Sequence, residues 1–237
     1  MCGRFAADVA VDRDIRRFLD VTGQRLTDYE PGWHESWNIP PTRGIPLLRE
    51  TLTDDGELVR HADTAHWSLV PPWSSELKQR YPTFNARCET LAEKRTWKGP
   101  LKGSRGIIPA TGYYEWTSEP GGKKKRPHFI YDPEGVLHFA ALYSWWRPKG
   151  SEDEWTLTAA IVTRPATGNV SVLHDRTPLV LPDDAMADWL DPAREGDQSL
   201  VDAMVAASDP VVERLAFHEV RGPLTGDGPE LAEPING

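Results

Sequence analysis

Hydrophobic and polar positions follow two periods along this chain, separated by breaks rich in proline and glycine. Val11, Ile15, Phe18 and Leu19 recur on one helical face with Asp12, Arg13, Arg16 and Arg17 between them, and Gly23 stops the run. That spacing predicts an amphipathic helix of about three turns. Trp37-Asn38-Ile39-Pro40-Pro41-Thr42 follows, where two prolines fix an extended backbone. Residues 45–50 and 57–62 read as strands around the hairpin turn Asp54-Asp55-Gly56, and residues 66–70 as a strand that Pro71-Pro72-Trp73 breaks. After a loop, residues 84–90 lead into a short predicted helix over 91–95. Strands are expected over 105–116, 127–132, 136–146 and 155–164, then an apolar stretch at 170–181 with His174-Asp175-Arg176 in its middle. Helices at 183–190 and 199–207 and a strand at 211–220 complete the pattern.

The expected fold class is α+β: a β-dominated single domain over residues 2–235, built as an antiparallel sheet or partial barrel with peripheral helices. No internal repeat or linker divides it. No apolar run approaches the ~20 residues that span a bilayer, so no membrane partner is expected. With no charged-then-apolar leader, the expected location is the cytoplasm, beside the nucleoid when acting on DNA. Cys2 and Cys88 are too few for a disulfide framework or a Cys-built zinc site, and the histidines show no ligand-like spacing, so neither metal nor cofactor is assigned.

Charge changes this picture through its distribution. The net charge is −9, yet residues 78–126 hold 12 Lys+Arg against 4 Asp+Glu. Within that segment Lys123-Lys124-Lys125-Arg126 reads as a charged hairpin tip, whereas Arg87, Lys94, Arg95, Lys98, Lys102 and Arg105 flank the motifs that carry candidate chemistry. Ten tryptophans are also many for the length, and Trp67, Trp73, Trp116, Trp145 and Trp146 lie in or beside punctuated segments where a ring face is free to stack on a base.

The chain opens Met1-Cys2-Gly3-Arg4-Phe5. Removal of Met1 leaves Cys2 with an α-amine and a thiol on adjacent carbons, groups that ordinarily titrate near ~7.7–8.0 and ~8.5 and so are both nucleophilic near neutral pH. An aldehyde condenses with the amine to an imine, and the sulfur closes a thiazolidine ring. Glu115, in Gly112-Tyr113-Tyr114-Glu115-Trp116, is flanked by aromatics that would raise its pKa and suit it to giving and taking a proton; taken alone it reads first as a strand-edge carboxylate facing solvent. His174 is a proton relay or a structural imidazole. Asn85 and Arg87, two apart in an extended segment, share a side and fit a sugar phosphate, with Arg4 and Arg176 extending a phosphate track or forming salt bridges.

Taken together, Met-Cys-Gly-Arg-Phe, Trp37-Asn38-Ile39-Pro40-Pro41-Thr42, Trp67-Ser68-Leu69-Val70-Pro71-Pro72-Trp73, Asn85-Ala86-Arg87-Cys88-Glu89-Thr90, Gly112-Tyr113-Tyr114-Glu115-Trp116 and His174-Asp175-Arg176-Thr177-Pro178 resemble, in this order, the abasic-site-processing proteins of the SRAP (SOS response-associated peptidase) family. The resemblance implies a monomeric sensor of abasic sites in single-stranded DNA that forms a thiazolidine crosslink through its N-terminal cysteine, with a proposed autopeptidase activity that exposes it. By position it implies Cys2 as nucleophile, Asn85 holding the sugar, Glu115 moving protons in ring opening, imine formation and reversal, and His174 assisting. Gly3, Arg4, Asn38, Pro41, Trp73, Arg87 and Arg176 match the DNA-contacting set. Ser74 departs from a second aromatic usual there, and Val220-Arg221-Gly222-Pro223-Leu224 departs from an Asn-containing turn.

Two other readings compete. Glutamine amidotransferase domains also begin Met-Cys-Gly, and there the cysteine attacks an amide with its own amine as base. A single-strand-binding module without chemistry would use only the tryptophans and arginines.

Overall fold

The computed structural model describes residues 2–20, 31–118, 125–152 and 154–235. The first predicted helix is α1 (Val9–Asp20), which buries Val11, Ile15 and Leu19. Its start is fixed by Asp8, whose Oδ1 accepts from the Ala10 amide at 2.9 Å and from the Thr111 hydroxyl at 2.7 Å. The stop at Gly23 lies outside the described residues. β1 (Phe5–Ala7) precedes α1; β2 (Ser36–Ile39), β3 (Gly44–Leu52) and β4 (Leu58–Trp67) follow, with β3 and β4 paired around Asp54-Asp55-Gly56, where Gly56 takes φ +82°.

Beyond Trp67 the chain leaves the sheet earlier than expected. The Leu69 amide donates to Thr83 O at 3.1 Å and the Val70 amide to Thr158 Oγ1 at 3.0 Å, so a loop and a side chain take the bonds a ladder would have used. β5 (Asn85–Arg87) runs into a 3-10 turn (Cys88–Thr90), and the helix expected at 91–95 forms later as α2 (Arg95–Gly103). Gly99 and Pro100 disguise it, but Trp97 and Leu101 are buried at i, i+4 spacing.

The single strand expected over 105–116 is two, β6 (Arg105–Ala110) and β7 (Gly112–Ser118), which turn a corner at Thr111 and enter different sheets. Gly112 is required there, since a Cβ would lie 2.3 Å from the Phe129 ring. β7 pairs with β8 (Lys125–Tyr131) as a hairpin whose predicted charged tip falls largely outside the described residues. β9 (Leu137–Trp146), β10 (Thr156–Pro165), a 3-10 turn (Gly168–Val172) and β11 (Arg176–Pro178) lead to α3 (Asp183–Leu190) and α4 (Gln198–Arg214). The strand expected at 211–220 shrinks to β12 (Ala216–Glu219), because α4 continues through Pro210. Met204, Ser208, Val211 and Val212 follow the helical period i, i+4, i+7, i+8 and are buried, and that burial outweighs one lost backbone bond.

One sheet has the order β12-β8-β7-β1-β2. In the other, β10-β4-β3-β6-β9 is closed by pairing of β9 with β10, so the strands form a ring rather than an open layer. The pairs β10·β4 and β10·β5 are parallel, against an otherwise antiparallel pattern. One apolar core runs from Cys2 through Phe5, Trp67, Tyr113 and Phe139 to Leu215. Two of the tryptophans considered for stacking, Trp67 and Trp146, belong to buried structure, because Trp67 donates to Phe84 O and Trp146 to Ser74 O, each at 2.9 Å. Arg105 is likewise buried, and its guanidinium donates to backbone carbonyls.

A charged clamp joins α1, β9 and α3. His138 is buried, with Nε2 2.8 Å from Asp14 and Nδ1 3.2 Å from Asp183. Burial by itself lowers the imidazole, but hydrogen bonds and charge from both aspartates outweigh it and raise its pKa to about 9. A folded-state value above the unfolded one means the clamp stabilises fully below about pH 6.5 and loses its contribution as pH rises through 9. His138→Gln is therefore expected to cost on the order of 2–3 kcal/mol at pH 6 and much less at pH 9.5. Urea denaturation of both proteins at the two pH values measures this; a pH-independent difference rules the charged clamp out.

Candidate functional site

Cys2 lies on the lead-in to β1, fully buried and continuous with the main core. β1 is held between β2 and β7, and the Tyr114 amide donates to Arg4 O at 2.9 Å, which extends the pairing back toward Cys2. The Cys2 Sγ lies 3.8 Å from Arg4 O, and the Cys2 carbonyl accepts from Asn85 Nδ2 at 2.7 Å. Asn85 reaches it from β5, which places the amide and the thiol-bearing residue on one centre across 83 residues of sequence. Asn85 Oδ1 is buried and has no partner among the described residues.

Burial, then the Glu115 charge, pushes the Cys2 thiol well above its ordinary range. This corrects the expectation of a thiol readily ionised near neutral pH: in the folded protein it is held as S–H. Glu115 stands on β7, buried rather than facing solvent, and burial raises its carboxyl while the positive N-terminus and His174 partly oppose the rise. His174 sits in the bend before β11. Its Nδ1 is 2.9 Å from the Arg176 amide nitrogen and 2.7 Å from Asp175 Oδ1, which fixes the ring between β11 and the residue before it. The structure thus gathers Cys2, Asn85, Glu115 and His174, four residues far apart in sequence, around one partly desolvated point.

Two buried hydroxyls border this centre that the sequence did not single out. Tyr113 is pushed up by burial, with Cys2 and Glu115 adding to the rise, and its hydroxyl pairs with Thr177 Oγ1 at 2.9 Å, tying β7 to β11. The signal was present in the alternation of β7, where Tyr113 and Glu115 share a face.

The proposed DNA-contacting residues divide. Arg4 Nη1 donates to Asn38 Oδ1 at 2.5 Å, and Asn38 Nδ2 donates to Gly226 O at 2.8 Å, so both are positioned by the C-terminal segment beside half-buried Gly3. Pro41 stands in the turn into β3, next to Thr42 at φ +75°, a left-handed conformation costly for a β-branched residue. Arg87 shares the solvent side of β5 with Asn85, across buried Ala86. Trp73 is 50 % exposed, and the Arg95 guanidinium lies over its ring at 4.3 Å, leaving the other face for a base. Arg176 is committed instead: it forms a fork with Glu89 at 2.5 and 3.0 Å and donates to Thr163 O at 2.7 Å. Lys102, one of the cations of the basic segment, pairs with Glu195 at 2.6 Å.

The fold is thus a two-sheet α+β architecture with a closed ring of strands, carrying buried Cys2 beside a carboxylate, an imidazole and an amide. The chain belongs to the family described as SOS response associated peptidase (SRAP), whose profile matches residues 1–224. It is 32 % identical to the abasic site processing protein HMCES of Gallus gallus, over 99 % of this chain and 78 % of that one. It is 33 % identical to the abasic site processing protein YedK of Escherichia coli, over 99 % of this chain and all of that one. A solved structure of a protein from Bacteroides thetaiotaomicron shares the fold, with a TM-score of 0.73 at 21 % identity over 99 % of this chain and 100 % of that one.

Proposed function

We propose that the protein captures abasic sites in single-stranded DNA as a covalent thiazolidine adduct on Cys2, after Met1 is removed, and so shields the lesion. The observation that carries this reading is the buried assembly of Cys2 with Asn85, Glu115 and His174. An abasic deoxyribose opens to an aldehyde, and the freed amine adds to it and loses water to give an imine. A thiol held protonated by burial does not compete in that step. The positive charge of the protonated imine then lowers the thiol's pKa, so the sulfur gives up its proton and attacks the imine carbon only once the imine exists. Glu115, with its raised carboxyl, gives a proton to the departing hydroxyl as the imine forms and, now a carboxylate, takes the thiol proton, and attack by sulfur leaves the ring nitrogen as a neutral amine. Run backward, the same transfers reverse the adduct.

Asn85 Oδ1 supplies an acceptor for a sugar hydroxyl, and His174 assists the opening of the sugar ring. Single-stranded DNA suits the site because flipping a nucleotide out of a duplex costs a few kcal/mol of unstacking. The same centre is suited to self-removal of Met1: the Cys2 sulfur attacks the Met1 carbonyl, the Met1–Cys2 amide breaks to a thioester and frees the Cys2 amine, and water hydrolyses the thioester to release Met1 and restore the thiol, in keeping with the peptidase of the family description. The protein is proposed to act as a monomer in the cytoplasm.

Glu115→Gln keeps the shape of the carboxylate but cannot move the proton. Adduct formation or its reversal is expected to slow by roughly 100-fold, within the range for a lost acid–base group, while affinity for an intact strand stays unchanged. Gel kinetics with abasic and intact oligonucleotides check this; equal loss of both would make Glu115 structural. Release of ammonia from glutamine without capture of abasic DNA would point instead to the amidotransferase-like reading.

A further inference from the structure

On the five-stranded sheet, away from the Cys2 thiol, a cavity of about 630 Å³ opens between the base of the β7–β8 hairpin and the turn 220–224. Arg4, Lys125, Arg126 and Arg221 line it, against the single carboxylate of Glu219, and Trp116 and Pro223 give it apolar walls. Glu219 is already engaged by Arg126 at 3.5 Å. Lys125 and Arg221 are exposed and make no hydrogen bond or ion pair among the described residues, and the Nε of Arg4 is buried without a partner among them. In an acidic chain of net charge −9, a concave surface with this excess of positive charge is a local exception.

We propose that this cavity is a subsite for the phosphodiester backbone of the single strand on one flank of the lesion, with Lys125 and Arg221 as its phosphate-binding groups and Arg4 as its link to the Cys2 centre. The inference rests on the proposed function and extends it to Lys125 and Arg221, which no motif placed on DNA. Arg4 makes the connection physical: its carbonyl accepts from the Tyr114 amide beside Glu115 and lies 3.8 Å from the Cys2 Sγ, while the same residue lines the cavity. A strand whose damaged sugar is at Cys2 therefore reaches the cavity without leaving the protein surface. A free anion would also be attracted to these cations, but the walls of Trp116 and Pro223 suit a ligand that brings a sugar or base with its phosphate.

The test uses the whole protein and oligonucleotides carrying one abasic site, either centred in about fifteen nucleotides or shortened on the 5′ or on the 3′ side. Equilibrium binding is measured between 50 and 300 mM salt on reduced lesions that cannot react, and adduct yield on unreduced ones. For the long strand, Lys125→Gln and Arg221→Gln are each expected to weaken binding about 3- to 10-fold and to lower the salt slope by about 0.7 for each phosphate left unneutralised. Shortening one flank, and only one, should bring the native protein to the affinity of the double variant and leave the double variant unaffected. Equal affinity and slope for native and variant proteins, or equal sensitivity to both flanks, overturns the subsite. Adduct yield separates the two inferences: capture by the native protein with no flank effect removes the subsite alone, whereas a flank effect without covalent capture removes the chemistry and keeps the subsite. Competition by millimolar inorganic phosphate that matches the oligonucleotide would reduce the cavity to a free-anion site and also overturn the proposal.

Discussion

Cys2→Ala is expected to abolish heat-stable covalent capture of an abasic single strand, taking the yield of adduct that survives heating below detection, while affinity for an intact strand stays within about twofold, because no phosphate-binding group is touched. Both bonds of the proposed ring come from this residue, and the only other cysteine, Cys88, has no α-amine beside it and a thiol that burial and Glu89 raise to about 11. The variant should fold. Replacing a buried sulfur by hydrogen costs on the order of 1 kcal/mol, and the Asn85 bond to the Cys2 carbonyl, made to backbone, survives. Cys2→Ser is the sharper companion: it keeps the amine and offers a hydroxyl, so an imine forms but closes poorly, and the trapped species should dissociate on heating. Intact mass spectrometry reads loss of Met1 and covalent gain in one measurement. A heat-stable adduct on Cys2→Ala, or on native protein that retains Met1, would sink the mechanism.

The second large effect concerns stability. Arg105→Met is expected to destabilise the fold by about 3–5 kcal/mol, although the substitution nearly conserves volume. The Arg105 guanidinium is buried between the ends of α2 and α3. It donates to Leu101 O at 2.9 Å and Lys102 O at 2.8 Å on one helix, and to Trp189 O at 2.7 Å, Asp191 O at 2.6 Å and Arg194 O at 2.7 Å at and beyond the other. Those carbonyls have no helical partners at a C-terminus, and the negative ends of two helix dipoles point at one cation. Removing the fork orphans the Leu101, Trp189 and Arg194 carbonyls, whereas Lys102 O and Asp191 O keep the Gly196 and Arg194 amides at 3.0 and 3.3 Å, in a site that packing leaves tight: a Cβ on Gly196 would lie 2.9 Å from Arg105 Nη1 and 2.1 Å from Leu101 O. Arg105→Lys should recover only part of the loss, since an ammonium cannot span five acceptors in a plane. For a chain of this length the Met variant should melt roughly 6–20 °C lower. A shift of only a degree or two would show that the five bonds are idle, and a loss of DNA affinity without loss of stability would make Arg105 a DNA contact instead.

The two arginines at positions 105 and 176 show where sequence stops being informative. Both lie among motifs that read as DNA contacts, and both turn out to be occupied, one by helix ends and one by Glu89. Their deciding partners come from distant segments, 84 to 89 residues away for the first and 87 for the second. Charge runs record how many cations there are, not which face solvent. Arg87 and Arg95, from the same basic segment, do face solvent, the latter over Trp73.

Features that are local, or carried by short fixed motifs, were legible in the chain alone: the face of α1, the hairpin at Asp54-Asp55-Gly56, α3 at its predicted bounds, the mixed β-rich class, and the family through several motifs in one order. These depend on residue spacing and turn chemistry within a few positions, which the chain displays directly. Folding in three dimensions fixed everything else. It closed β9 on β10, split one expected strand at Thr111 between two sheets, carried α4 through Pro210, and set Cys2 beside Asn85, Glu115 and His174 in a site dry enough to keep the thiol protonated. Each of these depends on burial and on pairing between distant segments, and those energies exist only once the chain has folded.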